Sequence, residues 1–155
     1  MVARSEYVEY LPNLANLPLI LAGPILRRTE PDSVTVWLAL KESKSILLEV
    51  YETESGQGEI IGKVLLKGQR ETIELGKHLH IVAVTARSIT REKLKSGRVY
   101  AYNIYCDGDR YNLLDDIQTD NNQYSLSYFP HQLPTFALPP QDLNQLNIVD
   151  RKSVV

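Results

Sequence analysis

The sequence predicts an all-β protein, a Greek-key β-sandwich followed by an extended, Pro-rich C-terminal strap. Three observations predict it. Between Ser33 and Leu40, Val34, Val36, Leu38 and Leu40 alternate with Thr35, Trp37 and Ala39, which sets one wholly apolar face against a mixed one, as in a half-buried central strand. The segment from Leu94 to Ile104 reads L-x-x-G-x-x-Y-x-Y-x-I; Gly97 closes a loop, and Tyr100 enters the next strand placed to fold back and hydrogen-bond the loop backbone, as in the tyrosine corner of Greek-key sandwiches. Finally, about seven or eight short runs of strand-forming residues are separated by turn signals, with no helix of core-forming length before Pro140.

In chain order, residues 1–18 form a lead-in that Leu11-Pro12-Asn13 and Leu17-Pro18 keep irregular. The sandwich is expected over residues 19–119. Its first strand is expected at Leu19–Ala22, and Glu30-Pro31-Asp32-Ser33 makes a turn because Pro presets φ for its second position. After the central strand and the turn Lys41-Glu42-Ser43-Lys44 comes Ser45–Tyr51, expected to pair with the strand before it. Glu54–Gly58 is a loop, and Ile60–Leu66 and Glu71–Leu75 are two short strands with a turn near Lys67-Gly68-Gln69. Leu79–Ala86 is strongly β-branched, Ser88–Leu94 suits one helical turn, and Asp107-Gly108-Asp109 signals a hairpin into a strand at Arg110–Ile117. Residues 120–155 carry Pro130, Pro134, Pro139 and Pro140 among isolated large apolar residues. This reads as a strap leading to a truncated tail, since Pro removes ladder donors.

Charge and composition narrow the function classes. A net charge of −2 in 155 residues offers no basic stripe for nucleic acid or an anionic membrane, so neither is expected as a partner. With Cys106 the only cysteine, an intramolecular disulfide is impossible and a reducing, cytoplasmic location is the natural reading. The N-terminus lacks a signal peptide's basic start and long apolar run.

The run G-P-I-L-R-R-T-E-P-D-S-V-T-V-W, the L-x-x-G-x-x-Y-x-Y-x-I entry and the tail L-P-T-F-A-L-P-P-Q-D-L-N-Q-L-N-I-V together resemble the N-terminal domain of alkaline phosphatase D-like (PhoD-like) metallophosphatases. The resemblance spans Leu19 to Val149. It implies an immunoglobulin or fibronectin type III-like sandwich that precedes a two-metal catalytic domain. In that family the catalytic domain opens with an apolar strand and a Ser-Cys-Arg-type segment, whereas this sequence continues Asp150-Arg151-Lys152-Ser153-Val154-Val155. The expectation is therefore an accessory domain with its catalytic domain absent, in which no residue inherits a metal-binding or catalytic role and no cofactor is expected.

Residue by residue, the chemistry is sparse. His78 and His80 lie two apart on an expected strand and so share a face, but a metal site needs more ligands than they supply, and an edge or solvent-facing pair is the simpler reading. Cys106 has no base nearby in sequence to activate it, and Asp107, Asp109, Asp115 and Asp116 lack a calcium-loop spacing. Arg27, Arg28, Arg87, Arg91, Lys93 and Arg98 read as cover for strand edges rather than an anion site. Trp37, Leu94, Gly97, Tyr100 and Tyr102 are assigned structural roles. Tyr105 and Tyr111 on the hairpin, with Phe129, Phe136 and Leu138 on the strap, form the candidate interaction surface. The partners expected are a phosphatase catalytic domain or a second copy held through the strap, and the alternative is a stand-alone protein-binding module that uses a sheet edge or the hairpin.

Overall fold

A computed structural model describes residues 17–107, 111–112 and 131–146. The strands are β1 (Ile20–Glu30), β2 (Ser33–Leu40), β3 (Ser45–Thr53), β4 (Ile61–Glu71), β5 (Ile73–Gly76), β6 (Leu79–Ser88), β7 (Val99–Cys106), β8 (Tyr111–Asn112) and β9 (Thr135–Ala137). They join in one antiparallel sheet of spatial order β1-β2-β6-β4-β3-β7-β8, with β5 beside β6 and β9 beside β7. The all-β expectation holds. Among the described residues the only helical pieces are the single 3-10 turns Glu54–Gly56 and Leu143–Gln145, and no helix is long and apolar enough to cross a membrane.

The sheet curls so that one face of every long strand meets a common core. Val34, Val36, Leu38 and Leu40 of β2 are fully buried, and they share a cluster with Val82 and Val84 of β6, Ile46, Leu48 and Val50 of β3, and Tyr102 and Ile104 of β7. Burying each of these aliphatic side chains contributes about 1.5–3 kcal/mol, which makes the alternation in β2 the main determinant of register. β2 is central, as expected, with β1 on one side and β6 on the other. The turn at Pro31-Asp32 also forms where the sequence puts it, and its carbonyls hold the far loop: Leu94 N–H donates to Pro31 O at 2.6 Å and Ser88 N–H to Asp32 O at 3.1 Å.

Three expectations are corrected. β3 does not pair with β2; its neighbours are β4 and β7, because after the Lys41–Lys44 connection the chain crosses to the other side of the core. No turn forms at Gly68. β4 runs unbroken through it, and the missing side chain lets the β4 backbone press on β6, where a Cβ at Gly68 would lie 2.0 Å from Thr85 O. Ser88 still belongs to β6, and Ile89–Arg91 bend instead of starting a helical turn, with Arg91 at φ 65°.

The expected interaction surface at Phe136 and Leu138 is a fourth correction. Thr135–Ala137 pairs with Val99–Ala101 of β7, and Phe136 and Leu138 are 8% and 7% exposed within the core cluster. The prolines do not prevent this: three residues between Pro134 and Pro139 suffice for the ladder, and Pro134 contributes its carbonyl to Tyr102 N–H at 3.0 Å. β8 and β9 lie against the same strand, opposite Tyr105–Cys106 and Val99–Ala101 respectively.

Candidate functional site

The tyrosine at the start of β7 folds back on the preceding loop. Tyr100 Oη accepts a hydrogen bond from Lys95 N–H at 2.7 Å, Leu94 is buried beneath that loop, and Gly97 takes φ +76°, a conformation that disfavours a side chain. Ser96 Oγ donates to Pro139 O at 2.8 Å, so the loop also holds the C-terminal segment. Between them lies a groove of about 1060 Å³ lined by Pro31, Lys95, Leu138, Pro140 and Asp142 among others. Among the described residues its charged lining groups are Lys93, Lys95 and Asp142.

Tyr105 is not free on a hairpin surface. It is half-buried opposite Leu47, and its hydroxyl lies 2.7 Å from that of Tyr51. Tyr51 donates its proton to Glu49 Oε2 at 2.7 Å, so Tyr105 must donate to Tyr51, and Lys67 Nζ closes the chain at 3.0 Å from Glu49 Oε1. Burial together with these two partners raises the Tyr51 hydroxyl far above the ordinary phenol range, so that hydroxyl stays protonated and serves as a structural donor. The Tyr111 side chain and Phe129 lie outside the described residues, as do Asp109, Asp115 and Asp116.

The histidines separate. His78 sits in the turn before β6 and is exposed, whereas His80 points to the core at 7% exposure with its Nδ1 unpartnered among the described residues. The two do not share a face, because β6 begins only at Leu79. Among the described residues no three His, Cys, Asp or Glu side chains gather around a metal-sized site. Cys106 is buried, and desolvation followed by the Asp107 charge pushes its thiol up to about 11, far from the range of a nucleophilic thiolate. Of the arginines, Arg28 pairs with Glu30 and Arg98 with Glu52 at 3.5 Å.

Asp107, at φ 55° just after β7, has a positional role. Its carboxylate accepts from Ser45 N–H at 2.9 Å and faces Lys44 Nζ at 3.1 Å. The Ser45 bond, then Lys44, hold its carboxyl below the usual carboxylate range. A depressed acid stabilises the fold above its unfolded pKa and loses that contribution as pH falls through the lower folded value. Asp107→Asn is expected to cost less than about 1 kcal/mol at neutral pH, since the pair is exposed. Urea unfolding should show that difference shrinking as the pH falls below 3.8 and vanishing once it has passed the lower folded value.

The largest feature unexplained by packing is on the outside of β1, β2, β6 and β5. Residues opposite one another in antiparallel strands share a face. The core takes Val36, Leu38, Val82 and Val84, so the outer face takes Trp37 with Ile25 and Ala83 as its cross-strand partners, then Ala39 with Ile81, and Ile81 with Ile73. Ile25, Ile73 and Leu79 remain 45%, 53% and 40% exposed, and a bulge leaves Leu75 unpaired and 60% exposed. Towards the Pro31 turn the same face becomes polar, with Thr35 and Thr85 hydroxyls 2.9 Å apart. Sequence reading found this face mixed and placed no binding role there; the signal was the spacing of Trp37 and Ala39, Ile81 and Ala83, and Ile73 and Leu75. Comparison of the chain with protein-family models, curated proteins and solved structures finds no match.

Proposed function

We propose that this chain is a non-catalytic interaction domain, an immunoglobulin or fibronectin type III-like Greek-key sandwich resembling the accessory domain of PhoD-like phosphatases, which docks through the apolar outer face around Trp37. The observation that carries the reading is that face: at least four large aliphatic side chains exposed beside a half-buried tryptophan on one side of a sheet whose other side is already fully used by the core. A contiguous apolar patch of this kind marks a surface that another body covers. The expected partner is a phosphatase catalytic domain, and the domain's role is to shape or shield the entrance of that partner's active site. The curl of the sheet, with β1, β2 and β6 on one side of the core and β4, β3 and β7 on the other, supports the two-layer reading.

The test uses the separately expressed catalytic domain of a PhoD-like phosphatase. Binding by calorimetry is expected, to be lost in Ile25→Lys and retained in Lys93→Ala on the groove. The chain alone, supplied with manganese, zinc or calcium, is expected to hydrolyse neither a phosphomonoester nor a phosphodiester. Metal-dependent turnover by the pure chain, or binding indifferent to Ile25, would overturn the proposal. The stand-alone module reading is favoured by a specific observation of its own, the open edge of β5.

A further inference from the structure

We infer that the partner seated on the Trp37 face brings a carboxylate to the polar end of that face, where Arg87 takes it beside Lys67. The inference rests on the interaction-domain reading and adds the chemistry of the partner, an apolar strip that ends in an acidic side chain.

Register assembles this corner. Arg87 of β6 lies opposite Ser33 of β2 on one side and Lys67 of β4 on the other, and Lys67 lies opposite Glu49 of β3. In the neighbouring row, Arg28, Thr35 and Thr85 stand in line across β1, β2 and β6. Val34, Ala86 and Leu66, which alternate with these residues, are fully buried in the core, so Arg87 and Lys67 share the outer face with Thr35, Thr85 and Trp37. Both cations are exposed. β6 is an interior strand at this point, between β2 and β4, so Arg87 covers no sheet edge, contrary to the expectation from sequence.

Charge at the corner is uneven. Like charges opposed on neighbouring strands weaken the pair, and of the two cations only Lys67 has an acid beside it: its Nζ is 3.0 Å from Glu49 Oε1, while Glu49 Oε2 accepts from the Tyr51 hydroxyl. Arg28 is paired with Glu30. Among the described residues no carboxylate lies within ion-pair distance of Arg87, so its guanidinium is free to grip one through both arms. The Thr35 and Thr85 hydroxyls use one proton between them at 2.9 Å, which leaves the other for an incoming acceptor. Arg87 lies along β6 from Ala83, the cross-strand partner of Trp37, by about 13 Å. A partner of ordinary size spans both, with its apolar centre on Trp37 and Ile25 and its charge at the rim. At the opposite end Leu75 and Leu79 are bordered by Glu74 and Lys77, whose charges cancel, so the acid fixes which way round the partner lies.

Calorimetry of the full chain with the separately expressed PhoD-like catalytic domain, at low and at high salt, tests it. The wild type is expected to bind more weakly at high salt. Arg87→Glu should weaken low-salt binding roughly tenfold and remove or reverse the salt dependence, because it sets two carboxylates against each other. Lys93→Glu on the groove makes the same change in net charge and should leave binding within about twofold of wild type. Arg87→Glu also places an acid opposite Lys67, so its Tm should equal or exceed that of the wild type, which separates a lost contact from a damaged fold. Binding unaffected by Arg87→Glu, or weakened no more than by Lys93→Glu, overturns the inference; if Ile25→Lys still abolishes that binding, the interaction-domain reading stands without it. A wild type that does not bind the catalytic domain removes both. Self-association of the pure chain that Ile25→Lys abolishes assigns the face to a second copy and likewise overturns the inference.

Discussion

Gly68→Ala is expected to be among the most damaging single-methyl changes available to this protein. A Cβ there would lie 2.0 Å from Thr85 O, 2.7 Å from Thr85 C and 2.9 Å from Ala86 Cα. All three are backbone atoms, so no rotamer change relieves the overlap and β4 must move off β6. The two strands are bridged only at Leu66 with Ser88 and Lys67 with Arg87, the narrow junction at which one side of the curled sheet continues into the other. Separating them exposes Leu66 and Ala86, both fully buried. A loss of about 4 kcal/mol or more follows, at the far end of what single substitutions do. For a chain of this size that lowers Tm by about 10 °C or more. Gly76→Ala is the control: nothing lies within 4 Å of its added carbon, and its Tm should stay within about 2 °C of wild type. A Gly68→Ala protein as stable as Gly76→Ala would mean that β4 does not lie against β6 as described.

What the sequence made legible follows from which physical signals are local. The β2 alternation was readable because burial has a period of two within one strand, and Val34, Val36, Leu38 and Leu40 lie on the core side. The L-x-x-G-x-x-Y spacing was readable because the Tyr100 hydroxyl reaches only five residues back, to Lys95. Gly68 was misread for the opposite reason. A glycine between two strand-like runs is compatible with a turn or with a close backbone approach, and Thr85, which decides between them, is seventeen residues away in sequence. The partners of β3 were misassigned likewise, since alternation says that a strand has a buried face but not which strand lies beside it.

The outer face was missed because its residues come from four strands. Ile25, Trp37, Ile81 and Ile73 read singly as ordinary half-exposed strand residues, and only the pairing of β1 with β2, β2 with β6, and β6 with β5 brings them together. The histidines failed at an element boundary. One residue of difference in where β6 begins moves His78 from a strand face into a turn, which dissolves the His78/His80 pair.

Phe136→Ala separates a strap that waits for a partner from a strand that belongs to the core. In the first case Phe136 is exposed, and truncating it leaves stability untouched while weakening association. The structure instead places it opposite Tyr100, with ring centroids 5.8 Å apart at 35°, and 6.4 Å from the Tyr102 ring at 53°. Truncating a buried Phe costs about 3–5 kcal/mol, including the cavity it leaves and its tilted aromatic contacts. β9 has three residues and, among the described residues, one neighbouring strand. Detaching it also frees Tyr102 N–H, which now donates to Pro134 O. Chemical denaturation should therefore show a loss of about 3 kcal/mol or more, and hydrogen exchange should show the Tyr102 amide losing protection before the amides of β2. Leu146→Ser, farther along the same segment and 42% exposed, should change stability by less than about 0.5 kcal/mol. Equal and negligible effects of the two substitutions would return Phe136 to the surface and revive the strap as a docking element; a large, selective effect of Phe136→Ala makes β9 an integral strand and directs the search for partners to the Trp37 face and the β5 edge.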